Sequence, residues 1–170
     1  MKRFGVRVYK EYFNFASSHF LIFADGTRET LHGHNYQVRV KILGELGGGD
    51  MVVDFCKLKP IVKRFCDELD HVTILPAQHP RLAIAEVDDH YEATFTTNAG
   101  GTERFVFPRR DALVLPIPNT STERLAEFLA GKILVAVREE GENSRLTSFT
   151  IEVEEAGGQC GLYETSLDQA

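Results

Sequence analysis

From Tyr36 to Ile42 the chain alternates without a break: Tyr36, Val38, Val40 and Ile42 fall on one side, Gln37, Arg39 and Lys41 on the other. A period of two belongs to a β-strand with one face on a core and one toward water. The same parity, carried backward through RETLHGHNYQVRV, puts His32 and His34 on the apolar side at the strand's mouth. Two imidazoles entering a core need partners, because burying an unpaired polar group is costly. A divalent ion is one solution and ordinary hydrogen bonds at a strand start are the other; a bare H-x-H does not choose between them. A cupin site would need a Glu four or five residues on, where Val38 and Arg39 stand.

An open catalytic zinc site takes three protein ligands. The remaining histidines are His19, His71, His79 and His90. His19 shares the parity of Phe13 and Phe15 on the preceding extended run, and reaches the pair if that run continues without a bulge.

Elsewhere, residues 3 to 9 alternate with Val6 and Val8 on one face, and GELGGGD (44 to 50) reads as the turn of a β-hairpin. A helix follows to about Leu69, with Asp54 as N-cap, Pro60 in an early turn, and Leu58, Ile61, Val62, Phe65 and Leu69 as its apolar stripe. Within 77 to 118, YEATFTT and RFVFP flank the turn NAGGT and predict a surface hairpin insertion. Thr120-Ser121-Thr122-Glu123 has the form of a capping box, opening a second helix with Leu125, Phe128, Leu129, Ile133 and Val137 inward. SFTIEVEE and QCGLYET close the chain as two strands. Strands flanking helices in this order predict an α+β fold with the helices on one face of the sheet.

At 170 residues the chain suits one domain able to bury its own core. A formal net charge of -6 speaks against nucleic acid or an anionic membrane as partner, both of which favour a basic surface. No apolar run nears the ~18 residues that span a bilayer, and MKRFGVRVYKEY lacks the apolar centre of a signal peptide. Cys56, Cys66 and Cys160 are too few and too scattered for a disulfide framework, so a cytoplasmic location is expected.

With His19, HGHNY, MVVDF, Leu69-Asp70-His71 and a late Glu in this order, nearly the whole chain resembles the 6-pyruvoyl-tetrahydropterin synthase / 6-carboxy-tetrahydropterin synthase family. The resemblance implies a tunnelling fold over residues 1–170: a four-stranded antiparallel sheet backed by two helices, with 77–118 inserted. It implies trimers or hexamers with sites between subunits, Zn2+ on His19, His32 and His34, and 7,8-dihydroneopterin triphosphate as substrate. Asp70 and His71 match the family's proton-transfer pair. Glu155 matches the Glu that anchors the pterin ring, and its parity with Phe149, Ile151 and Val153 also turns it inward. An inward carboxylate suits two adjacent N–H donors.

The family's usual catalytic Cys lies four residues before the first His of HGH, where this chain has Arg28. Glu29 instead gives E-x-x-H-G-H, resembling the branch in which a Glu replaces the Cys and the product is 6-hydroxymethyl-dihydropterin, a folate precursor. The expectation is therefore a zinc-dependent lyase making a 6-carboxy- or 6-pyruvoyl-tetrahydropterin, on a queuosine-type or related route. Glu-dependent cleavage toward folate is the alternative, and a non-catalytic zinc- and pterin-binding protein is the alternative of another class. The charge of Arg28 would suit the substrate's triphosphate.

Overall fold

The computed structural model describes residues 4–141 and 145–167. In chain order the elements are β1 (Phe4–His19), β2 (His32–Gly44), α1 (Phe55–Glu68), β3 (Val72–Pro76), β4 (Leu82–Val87), β5 (His90–Thr96), β6 (Thr102–Pro108), β7 (Ala112–Leu115), α2 (Thr122–Glu139), β8 (Leu146–Glu155) and β9 (Cys160–Ser166). The expected four-stranded antiparallel sheet is present as β1-β2-β8-β9, but two short strands extend it at one edge to β7-β3-β1-β2-β8-β9. Those additions, β3 on β1 and β7 on β3, are parallel. The helices cover one face of this sheet. The stripe Leu58, Ile61, Val62, Phe65 of α1 and Leu125, Leu129, Ile133, Val137 of α2 meets Val38, Val40, Ile42, Phe149, Ile151 and Val153 in the main core. Each such side chain taken from water contributes roughly 1.5–3 kcal/mol.

Strand β1 changes phase midway. Tyr9 pairs with Arg39 and Asn14 with Gln37, so β1 holds three more residues than β2 across the irregularity. An odd insertion reverses which parity faces inward: Val8 is buried before it, and Phe13, Phe15, Ser17 and His19 after it. Because the bulge lies ahead of Asn14, the stretch ending at His19 pairs without interruption, and His19 stands directly opposite His32. Gly33 sits between the two β2 histidines where a Cβ would come 3.1 Å from the Ser17 carbonyl oxygen, so the narrow pairing favours a residue without one.

Four further expectations are corrected. Residues 44 to 50 do not turn a hairpin; β2 leads through a 3-10 turn at Gly48–Asp50 into α1 and pairs instead with β1 and β8. Asp54 does cap α1, accepting from the Cys56 amide, but Pro60 falls inside the helix rather than at its start. The N-cap of α2 is Ser121, one residue later than the capping box requires. The insertion is a three-stranded antiparallel sheet, β4-β5-β6, rather than a hairpin. It closes over a second apolar cluster of Phe20, Ile22, Leu75, Leu82, Ala93, Phe95 and Ala112. Through Phe20 and Ile22 that cluster reaches the connection between β1 and β2.

Candidate metal centre and reaction site

The last inward residue of β1 and the first two of β2 bring His19, His32 and His34 together at the sheet's rim. Glu155, opposite Tyr36 at the end of β8, joins them. One donor atom from each of the four lies within 4.8 Å of the others. A tetrahedral zinc site needs nitrogens about 2.0–2.1 Å from the ion, so a small contraction of this cluster suffices.

The protonation pattern favours a cation. The Thr120 hydroxyl donates to the Phe20 carbonyl at 2.8 Å, so its oxygen is left to accept from His19 Nδ1 at 3.2 Å; the Thr120 carbonyl lies at the same distance. His19 Nδ1 therefore carries the proton and Nε2 presents a lone pair. His32 Nδ1 is likewise directed to the Thr30 carbonyl at 2.8 Å. A backbone or hydroxyl acceptor on one ring nitrogen, with the other free to coordinate, is the usual support of a metal-bound imidazole. His19 is 1% exposed, and its Nε2 has no hydrogen-bond partner. Burial holds its pKa below the ordinary value, outweighing the nearby Glu155 charge, and so keeps the neutral form that binds metal. His34 Nε2 lies 2.9 Å from a Glu155 oxygen but without hydrogen-bond geometry. Two buried, unbonded imidazole nitrogens in one cluster are what a divalent ion would satisfy.

Thr120 was invisible as a site residue, since it reads as a helix cap. Thr120→Val should weaken divalent-ion binding about 10-fold while sparing the fold, measured by competition with a chromophoric chelator. Unchanged affinity would remove the hydroxyl from this role. Tyr36 is a second such residue. Its ring stands at 70–78° to His34 and His19, its buried hydroxyl has no partner, and burial together with Glu155 and Glu29 pushes its pKa up.

Glu29 reaches the rim from the β1–β2 connection. Its Oε2 accepts from the Leu21 amide at 3.0 Å and stands 4.0 Å from His32 Nε2. None of the three cysteines belongs to this cluster. Arg28 turns the other way. Its guanidinium donates to Glu103 and to the Glu29 carbonyl and lies over Phe20, Phe95 and Phe105, so the positive charge expected near a triphosphate is engaged with the inserted sheet.

Asp70 and His71 are not gathered into the cluster. His71 has φ +60, in the left-handed region that histidine enters more readily than most residues, and its side chain is 82% exposed. It lines an open cavity with Ser17, Ser18, Asn35 and His34, one of the clustered imidazoles, but is not itself among the four grouped donors. Asp70 accepts from the Ala16 amide at 2.7 Å and lies 2.8 Å from His71 Nδ1. Burial pulls the Asp70 pKa upward, but the Ala16 amide and His71 outweigh it and hold the carboxyl below its usual range.

An antiparallel four-strand core with both helices on one face is the architecture of the tunnelling fold. The chain belongs to the 6-pyruvoyl tetrahydropterin synthase family, whose model matches residues 7–166. That family is one of enzymes. A Haemophilus influenzae protein named 6-carboxy-5,6,7,8-tetrahydropterin synthase is 36% identical over 108 residues, 57% of this chain and 77% of that protein. A Methanocaldococcus jannaschii protein given that name provisionally is 35% identical over 157 residues, 91% of each chain. Plasmodium vivax 6-pyruvoyltetrahydropterin synthase, solved with a glutamate described as a catalytic residue changed to alanine, superposes with a TM-score of 0.88 at 29% identity over 98% of this chain and all of that one. No helix among the described residues is long and apolar enough to cross a membrane.

Proposed function

We propose that this protein is a zinc-dependent lyase acting on 7,8-dihydroneopterin triphosphate, with Glu29 as the base. The observation that carries the reading is the placement of a carboxylate 4.0 Å from His32 Nε2, beside two buried imidazole nitrogens without partners. His19, His32 and His34 would hold the ion, which would polarise a side-chain oxygen of the substrate and so acidify the adjacent C–H and O–H bonds. Glu155 fixes the pterin by accepting from the two parallel N–H groups of its guanidine-like edge. Glu29 takes the proton, held in place by the Leu21 amide. Asp70 and His71 stand outside their own chain's cluster and His71 is exposed, so the pair would serve a neighbouring copy's site, in a trimer or hexamer with sites between subunits and in a cytoplasmic enzyme.

Two outcomes are separable by mass. Breaking the C–O bond to the triphosphate, with hydrogen shifts within the molecule, frees inorganic triphosphate and gives a 6-pyruvoyl-type pterin. A 6-carboxy-type pterin further requires water to cleave that three-carbon chain and release acetaldehyde, and the names of the sequence relatives point to this route. Breaking the C–C bond between the first two side-chain carbons leaves 6-hydroxymethyl-dihydropterin and a two-carbon aldehyde that keeps the triphosphate. A Glu in place of the Cys favours this second route, toward a folate precursor. Incubating the zinc-loaded protein with the substrate should yield one of these product sets, and a chelator should abolish it. Pterin binding with neither product would make this a non-catalytic zinc and pterin carrier and refute the proposal.

A further inference from the structure

The inserted sheet packs on the β1–β2 connection, and through Arg28 it bears on Glu29. Leu21 and Glu29 stand opposite one another in the short antiparallel stem of the β1–β2 connection, next to the bridge Ile22–Arg28. A regular ladder would exchange two backbone hydrogen bonds between them. Only one forms, from the Glu29 amide to the Leu21 carbonyl at 2.9 Å. The Glu29 carbonyl, which should accept the second, receives Arg28 Nη1 at 2.6 Å instead. The Leu21 amide, left without it, donates to the Glu29 carboxylate. One diverted bond thus fixes the carboxylate beside the histidines.

Arg28 is held in that position by the insertion. Its Nε donates to Glu103 of β6 at 2.6 Å and Nη2 bonds the same carboxylate, a forked ion pair. The guanidinium carbon lies 4.8 Å from the Phe105 ring centroid, 5.5 Å from Phe20 and 5.9 Å from Phe95. Attraction to three rings in a partly dry setting adds to the fork. Asn98, in the turn between β5 and β6, donates to the Asp25 carbonyl at the tip of the same connection.

We infer that the β4-β5-β6 sheet is a positioning device for catalysis: Glu103 locks Arg28, and Arg28 sets the Glu29 carboxylate at its working place. Release of Arg28 lets the ladder bond between Leu21 and Glu29 form and frees the carboxylate to swing. This rests on Glu29 being the base. Arg28 and Glu103 are positioning residues; neither touches the candidate ion.

The test is a double-mutant cycle on Glu103→Ala and Glu29→Ala, read as kcat, KM, zinc content and Tm. Glu103 is partly exposed, so its truncation should leave folding and zinc content as in the wild type. The expected result is a kcat lower by about 10-fold at unchanged KM, since small misplacement of a reacting group costs rate rather than binding. In the Glu29→Ala background the same change should cost nothing further. Arg28→Lys, which keeps the charge but not the fork, should reproduce the loss. Full kcat in Glu103→Ala, or an equal loss with Glu29 already absent, overturns the inference. Should Glu29→Ala itself keep full turnover, the assignment of the base fails instead, and the two failures are told apart by that single variant.

Discussion

Replacing Glu29 with alanine is expected to lower kcat on 7,8-dihydroneopterin triphosphate by about 10³-fold, within the range that a positioned general base supplies. KM and zinc content should stay close to wild type, because the side chain lies beside the histidine cluster rather than within it. Alanine alone would leave an ambiguity, since it also removes the acceptor of the Leu21 amide and loosens the stem. Glu29→Gln resolves it. A glutamine oxygen can still accept from Leu21, but the amide cannot take up a proton at neutral pH. If Gln is as inactive as Ala, the carboxylate works as a base. If Gln restores most of the rate, Glu29 is only a structural acceptor, and the proton must go elsewhere. Measuring both variants under single-turnover conditions keeps product release from masking the chemical step.

How the site emerges from the sequence depends on which contacts are local. The stripes of β2 and β8 alternate so regularly that parity alone orients His32, His34 and Glu155 toward one face, and they do share it. His19 was harder, since the Val6–Val8 run and the Phe13–Phe15 run are out of phase. Three extra residues between them reconcile the two runs, and no local signal announces a bulge of that length. Strands β3 and β7 escaped notice because VTILP and ALVL, in parallel pairing, show little of the alternation that marks a half-exposed strand. Strand β4 lies at the edge of the inserted sheet, paired with β5, outside the YEATFTT and RFVFP pieces on which the hairpin expectation rests.

The supporting contacts were not legible at all. Thr120 reaches His19 across 101 positions of sequence and Arg28 reaches Glu103 across 75. A threonine before a helix looks like a cap and an arginine before a glutamate looks like loop charge; only tertiary structure shows that one aligns a histidine and the other is folded under an inserted sheet. The same holds for Asp70 and His71. Their motif matches a proton-transfer pair, yet within one chain they stand outside the group of His19, His32, His34 and Glu155.

Removing His32 should abolish metal binding and catalysis together while leaving the apoprotein intact. His32 and His19 are directly paired across β1 and β2, with His34 two residues on along the same face, so three ligands come from only two strands. Loss of any one leaves two imidazoles and an open flank. His19→Ala is a poor test, because that ring is fully buried and hydrogen-bonded to Thr120, and truncation opens a cavity that destabilises the protein by itself. His32 is 37% exposed at the side chain and its Nδ1 contacts a nearby backbone carbonyl, so His32→Ala should change apoprotein stability by no more than about 0.5 kcal/mol. The expected result is zinc content near zero by metal analysis and turnover lower by on the order of 10³-fold or more, the rate equivalent of several kcal/mol of Lewis-acid stabilisation. Addition of zinc should raise the Tm of the wild type and not of the variant, since only a protein that binds the ion in its folded state gains stability from it. A His32→Ala protein that keeps stoichiometric zinc would place the ion elsewhere and detach the three-histidine cluster from catalysis.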